Sequence, residues 1–182
     1  MDGTTWQRLL PLDFIRCTET APYDALPIRG NRLAEHSMRL TVHSDYALRV
    51  LMYLGARRER LATIEEIAKV YAISENHLMK VVNRLAKHGF VETLRGRGGG
   101  LRLGKSADTV TLGEVLRVVE EDFQIVECLG ESNMCRISET CRLKHALRRA
   151  LDAFLAELDE WTLADILSNR NALLNELRPF LS

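Results

Sequence analysis

Nowhere does this 182-residue chain string together the eighteen or more apolar residues that a helix needs to cross a bilayer. It also lacks a charged start followed by an apolar run and a small-residue cleavage site. No membrane span and no secretion signal are therefore expected, and the reading is a cytoplasmic protein. Cysteine is scarce, with 4 in all. In a reducing compartment so few thiols are poor disulfide material, and three that cluster cannot all pair with one another, which leaves metal or cluster ligation as the leading reading. Excess charge is absent too, 25 basic side chains balancing 25 acidic ones. What is present is a hydrophobic content of 46%, enough for one substantial core or a small domain with an appended dimerisation element.

The balanced total conceals a strong asymmetry. Between Ser74 and Lys105 stand Lys80, Arg84, Lys87, Arg95, Arg97, Arg102 and Lys105 against only Glu75 and Glu92, a net +5. From Thr111 to the end, 13 acidic residues face 8 basic ones, a net −5. A basic stripe confined to one segment is the electrostatic footprint of a nucleic-acid surface; otherwise it is a solvated face.

The order of elements favours the first alternative. Ser44 is a candidate cap for a helix carrying Ala47, Leu48, Val50, Leu51 and Leu54, with Gly55 as its stop. Thr63 caps a short second helix, TIEEIAKVY, with Glu66 at the capping-box position and Ile64, Ile67 and Ala68 inward. Ser74 opens a third, SENHLMKVVNRLAKHG, in which Leu78, Val81, Val82 and Leu85 form the apolar stripe and Gly89 ends it. Its other face bears Asn76, His77, Lys80, Asn83, Arg84 and Lys87. Two helices joined by a tight turn, the second basic on its outer face, describe a helix-turn-helix whose second member enters the major groove. The stretch FVETLRGRGGGLRL then reads as two strands, Phe90–Leu94 and Leu101–Leu103, around a loop containing Arg95, Arg97, Gly98 and Gly99. That is a wing: glycine lets backbone approach closely, and arginine is drawn to phosphates and narrow minor grooves. A plain basic hairpin tip is the alternative. The candidate DNA-binding residues are thus Ser74, Asn76, His77, Lys80, Asn83, Arg84, Arg95, Arg97, Gly98 and Gly99.

The same stretch holds a decoy. Gly99 to Ser106, GGLRLGKS, satisfies the phosphate-loop pattern, but that pattern works only between a buried parallel strand and a helix that begins at the Lys-Ser. Here Leu101 and Leu103 alternate as a strand inside the supposed loop and a turn-like SADT follows. Nucleotide hydrolysis is not expected, and no enzyme activity is read from the chain.

Beyond the wing, Thr111 starts a helix, TLGEVLRVVE, that leads into ECLGESNMCRISETCRLKH. This loop places Cys128, Cys135 and Cys141 with six and then five residues between them. Metals and iron-sulfur clusters usually take four ligands, and only three thiols are here. Structural zinc prefers tighter pairs than any of these gaps; zinc and uncommitted buried cysteines remain the competing readings. After Cys141, Leu147, Phe154 and Trp161 recur by seven, with Leu151 and Leu158 interleaved by seven. Such a seam wants a partner helix, most economically a second copy, and a dimer suits two half-sites on DNA. The alternative is a helix packed on its own domain. The expected fold class is mainly α: a winged helix-turn-helix domain over 38–105, a linker helix and cysteine loop over 106–141, a dimerisation helix over 142–167, and a tail over 168–182 that forms one more short helix. Residues 1–37, with Pro11, Pro22, Pro27 and Cys17, are expected to be an irregular extension, and Met38 is a candidate translation start.

MRLTVHSDYALRVLMYL from Met38, ISENHLMKVVNRLAKHGFVETLRGRGGGLRL, the three-cysteine loop and CRLKHALRRALDAFLAELDEWTLADIL together resemble the Rrf-two family of winged-helix regulators, and within it the nitric-oxide-sensing repressors. The resemblance covers Met38 to about Leu167. It implies a homodimeric repressor of a palindromic duplex operator in which Cys128, Cys135 and Cys141 bind an iron-sulfur cluster, of 4Fe-4S rather than 2Fe-2S type, with nitric oxide as effector. Relatives that regulate iron-sulfur assembly use a histidine three residues beyond the third cysteine; here Lys144 stands there and His145 one further on. The nitric-oxide-sensing members take an aspartate from the first helix of the other subunit, and the matching position is Asp45; the alternative for Asp45 is a plain helix N-terminal acid favoured by the helix dipole. The alternatives are a regulator of iron-sulfur assembly, against which Lys144 speaks, and, as a different function class, a cluster-bearing redox protein that does not bind DNA, against which the wing speaks.

Overall fold

A computed structural model describes residues 40–130 and 133–180. The extension expected over 1–37, with Cys17 and the candidate start at Met38, lies outside the described residues. The first helix, α1 (Val42–Ala56), is capped not by Ser44 but by Thr41, whose extended backbone lets its hydroxyl accept the Ser44 N–H at 3.3 Å. Ser44 instead lies fully buried in the first turn, its Oγ without a hydrogen-bond partner among the described residues. Gly55 falls within the last turn, one residue short of the helix end. α1 buries Ala47, Val50, Leu51, Tyr53 and Leu54.

Thr63 caps α2 (Ile64–Tyr71) through the Glu66 N–H at 3.1 Å. The Glu66 carboxylate does not turn back to close a capping box; it goes to Tyr53, Arg57 and Arg60 instead. Ala72, in the left-handed region at φ +52°, ends α2. α3 (Glu75–Lys87) buries Leu78, Val81, Val82 and Leu85, the stripe its period demands. Gly89, at φ +77°, then closes it: its N–H donates to Ala86 O at 3.0 Å, and the Phe90 N–H donates to Leu85 O at 3.0 Å. Strands β1 (Val91–Leu94) and β2 (Gly100–Leu103) pair antiparallel, Val91 opposite Leu103 and Leu94 opposite Gly100. Leu101 also exchanges two hydrogen bonds with Ala62, of 2.8 and 3.1 Å, so the wing is fastened to the segment that enters α2.

α4 (Leu112–Val119), capped by Thr111, buries Val115 and Val119 in the same core and also buries Leu116. The helix expected to run unbroken over 142–167 is two helices. α5 (Arg142–Asp159) ends at Asp159, because the Trp161 carbonyl accepts the Leu112 N–H at 2.9 Å and the Leu163 N–H donates to Val110 O at 2.8 Å. That pairing pulls the chain out of helical geometry, and a Thr162–Asp165 capping box restarts it as α6 (Leu163–Ile166). The tail forms α7 (Arg170–Leu177), which buries Leu177 and is tied to α1 by Arg170 Nε donating to Ala56 O at 2.6 Å. Burying that leucine contributes about 1.5–3 kcal/mol. The architecture is mainly α, a winged helix-turn-helix with an appended helix, as its sequence pattern demands.

Candidate nucleic-acid interface and cysteine loop

Periodicity sends the apolar stripe of α3 inward and its polar residues out. Ser74, Asn76, His77, Lys80 and Asn83 are exposed and Arg84 is half-buried. Arg95, Arg97 and Gly98 are exposed at the wing tip. The tip turns through Gly96 and Gly98, at φ +101° and +81°, and a Cβ on Gly99 would stand 2.2 Å from the Leu94 carbonyl oxygen. Within the basic segment, Arg102 is engaged with Glu92 at 2.9 Å and Lys105 with Glu114 at 2.9 Å. Lys80, Arg84, Lys87, Arg95 and Arg97 have no acidic partner among the described residues. These five cations are free for phosphates or base edges.

Behind this surface lies a network that the sequence did not reveal. The Tyr53 hydroxyl donates to Glu66, which also accepts from Arg57 Nη1 at 2.9 Å and Arg60 Nη1 at 2.9 Å. Burial, reinforced by the bond to Glu66, pushes the Tyr53 phenol up to about 12. Burial alone raises the Glu66 carboxyl, but hydrogen bonds from Tyr53 and Arg60 and the two guanidinium charges outweigh it and hold it below its ordinary value. The effect is to lock the end of α1 to the start of α2, the helix that supports α3. The only local hint was Glu66 at a capping position, and it pointed to a different partner.

The phosphate-loop pattern has a structural explanation. β2 inside it is antiparallel, Ser106 leads into a 3-10 turn (Ala107–Thr109) rather than a helix, and Lys105 Nζ is held by Glu114 and by the face of Phe90, 4.2 Å from the ring centroid.

Cys128 lies in a 3-10 turn (Glu127–Leu129), Cys135 follows on the same loop, and Cys141 is the residue that precedes α5. All three are half-exposed and free. The loop is braced by Asn133 Nδ2 donating to Ser138 Oγ at 2.8 Å and by the Met134 N–H donating to Glu127 Oε1 at 2.9 Å. Among the described residues, no three His, Cys, Asp or Glu side chains come together as a metal-binding group. Asp45 stands in the first turn of α1, accepting from Arg49 Nε at 2.9 Å with its side chain 47% exposed. His145 is an exposed residue of α5.

No residue of α5 is buried. Leu147, Leu151 and Leu158 are half-buried on it, Phe154 is 45% exposed, and Trp161, just past its end, is 46% exposed. No helix among the described residues is long and apolar enough to cross a membrane.

Comparison with known proteins fits this geometry. Residues 40–169 match the Rrf2 (Rrf-two) family, described as iron-dependent transcriptional regulators. The chain is 50% identical over 143 residues to the HTH-type transcriptional regulator NsrR of Bacillus subtilis (strain 168), covering 78% of this chain and 98% of that protein. It is 51% identical over 136 residues to the NsrR of Bacillus licheniformis, covering 74% and 95%. Among solved structures, CymR (YrzC), the global cysteine regulator of B. subtilis, matches with a TM-score of 0.57 at 28% identity over 73% of this chain and 98% of that one. T. potens IscR matches with a TM-score of 0.59 at 22% identity over 73% and 88%, a likeness of fold. A winged helix-turn-helix, matched over this length and at this identity, establishes that the chain belongs to the Rrf2 family of transcriptional regulators and is not an enzyme.

Proposed function

We propose that the chain is a cytoplasmic, homodimeric repressor that grips a palindromic operator in duplex DNA with α3 and the wing, carries an iron-sulfur cluster on Cys128, Cys135 and Cys141, and lets go of DNA in response to nitric oxide. The observation that carries it is the set of cations without an acidic partner among the described residues, Lys80, Arg84, Lys87, Arg95 and Arg97, gathered on α3 and the wing of a chain with no net charge. An electron carrier has no need of such a surface. The α5 face supports the dimer, since Phe154 and Trp161 leave large apolar area exposed and two-fold symmetry matches half-sites about one DNA turn apart.

The donor set fits a cluster in its chemistry: three unpaired, half-exposed thiols on one braced loop. The fit is one of donor chemistry: among the described residues neither these three thiols nor any other three His, Cys, Asp or Glu side chains are gathered into a metal-binding group. Asp45, half-exposed in the first turn of α1, is the candidate fourth ligand from the second copy, with Arg49 as its hydrogen-bond donor. When bound, a cluster of 4Fe-4S type supplies iron that nitric oxide ligates strongly, and a carboxylate is its hardest and weakest protein ligand. Cys128, Cys135 and Cys141 would hold the cluster on the loop ahead of α5, and Asp45 would connect that loop to the partner's α1. Tying or untying that link would shift the spacing of the two recognition helices. A difference of a few kcal/mol in DNA affinity between tied and untied dimers moves the population from mostly bound to mostly free.

The test is anaerobic purification with iron and sulfide counts, followed by nitric oxide titration while operator binding is measured. Tight binding by the loaded form, lost on exposure to nitric oxide, is expected. A single Cys→Ala change at 128, 135 or 141 should remove both visible absorption and tight binding, whereas Asp45→Ala should keep a cluster of altered lability. Equal DNA affinity for loaded, nitric-oxide-treated and cluster-free protein would sink the reading.

A further inference from the structure

The Gly-Lys-Ser triplet at 104–106 is no phosphate loop, yet its lysine is closely engaged. Lys105 Nζ lies 2.9 Å from Glu114 Oε1 and 4.2 Å from the centroid of the Phe90 ring. These two partners belong to different parts of the molecule. Phe90 is buried; its N–H closes the end of α3 on Leu85, and its carbonyl accepts the Gly104 N–H at 2.9 Å, at the root of β2. Glu114 stands in the first turn of α4, whose far end leads into the cysteine loop. Two further ties, from Arg117 in α4 and from Glu120 just past its end, follow at three-residue steps. Arg117 pairs with Asp159, at the end of α5, through contacts of 2.5 and 2.7 Å. Glu120, 8% exposed, accepts the Thr41 N–H at 2.8 Å, where α1 begins. Residues 114, 117 and 120 thus join α4 to the wing root, to α5 and to the start of α1, immediately before the loop that carries Cys128.

We propose that Lys105 is a positioning residue for DNA binding: held by Glu114 and lying on Phe90, it fixes the end of α3 and the root of the wing to α4, and it does not itself contact phosphate. This rests on the DNA-binding reading above. The ammonium is already committed to a carboxylate and a ring face, so a phosphate would have to displace both. Phe90, whose N–H closes the end of α3, is buried in the hydrophobic core. A charge resting on it acts on recognition helix and wing together.

The experiment compares wild type with Glu114→Gln, Lys105→Met, Lys105→Arg and the Glu114→Gln/Lys105→Met pair. Binding is read by fluorescence anisotropy at several salt concentrations, on a duplex selected from random sequence by the wild-type protein. Removing a carboxylate beside a polyanion strengthens binding if charge alone matters. Positioning predicts the opposite sign: Glu114→Gln should weaken binding by about five-fold, of the order one partly exposed ion pair supports. Lys105→Met should weaken it by a similar factor with the salt slope unchanged, because a lost phosphate contact would reduce the slope by about one. The pair should be no weaker than the worse single variant, and Lys105→Arg should retain most of the affinity. Hydrogen exchange at the Phe90 and Gly104 amides should accelerate in Glu114→Gln and Lys105→Met, with core amides of α1 unchanged. Equal or tighter binding by Glu114→Gln, or a slope lowered by about one in Lys105→Met, overturns the proposal. Should the wild type select no duplex at all, the DNA-binding reading falls instead. Exchange then decides the latch alone, and unchanged protection at Phe90 and Gly104 overturns it.

Discussion

Replacing Phe154 by alanine separates the dimer from the fold of its subunits. No residue of α5 is buried in the chain, and Phe154 is 45% exposed, so its loss leaves the core untouched. Phe154 lies outside the core cluster, so subunit stability should fall by less than the roughly 3–5 kcal/mol of a core Phe→Ala change. An aromatic side chain buries roughly 150–250 Å² when fully covered, so about 90 Å² of Phe154 is left for a partner to cover. At about 25 cal/mol per Å² that amounts to about 2 kcal/mol per copy, and a two-fold interface uses the residue twice. The dimer should therefore lose about 4 kcal/mol, close to a thousand-fold in dissociation constant. Sedimentation velocity over a dilution series measures this directly, with far-UV circular dichroism checking that α5 persists. A charged residue at 154 should be more disruptive still, since it would bury an unpaired charge at the seam. Dimers of unchanged strength in Phe154→Ala would place the interface elsewhere and remove the seam of Leu147, Leu151, Phe154, Leu158 and Trp161 from the account.

Arg95→Ala and Arg97→Ala should each weaken operator binding and lower the salt slope by about one, while Lys80→Ala or Arg84→Ala should cost about 1–3 kcal/mol if they reach base edges; gel-shift titration at varied salt reads both, and wild-type affinity in all four would exclude this surface. The depressed Glu66 carboxyl contributes stability that is present above its ordinary value of 4.5 and is lost as pH falls through its lower folded value; thermal melts from pH 7 downward should show that acid limb flattened in Glu66→Gln. Gly99→Ala would set a Cβ 2.2 Å from the Leu94 carbonyl, so the wing must shift, at a cost of about 1–3 kcal/mol; weaker DNA binding with an intact α3 is expected, and unaltered binding would mean the tip conformation is immaterial.

The sequence by itself determined the recognition helix and the wing. The stripe of Leu78, Val81, Val82 and Leu85, the stop at Gly89, and the Arg- and Gly-rich tip are local signals, because helix period, capping and turn chemistry act within a few residues. The spacing of the three thiols was legible for the same reason. Tertiary structure decided what depends on distant partners. Thr41, not Ser44, caps α1, because the cap falls to the residue whose hydroxyl reaches an orphan N–H. Glu66 leaves the capping box for Tyr53, Arg57 and Arg60. Lys105 spends its charge on Glu114 and Phe90, not on a nucleotide. The heptad pattern ran straight through Trp161, but backbone pairing of Leu112 with Trp161 and of Val110 with Leu163 stops α5 at Asp159. A periodic side-chain pattern records only which face is apolar; whether the backbone stays helical there depends on whether its N–H and C=O groups find better partners elsewhere in the chain, and that is settled by the fold.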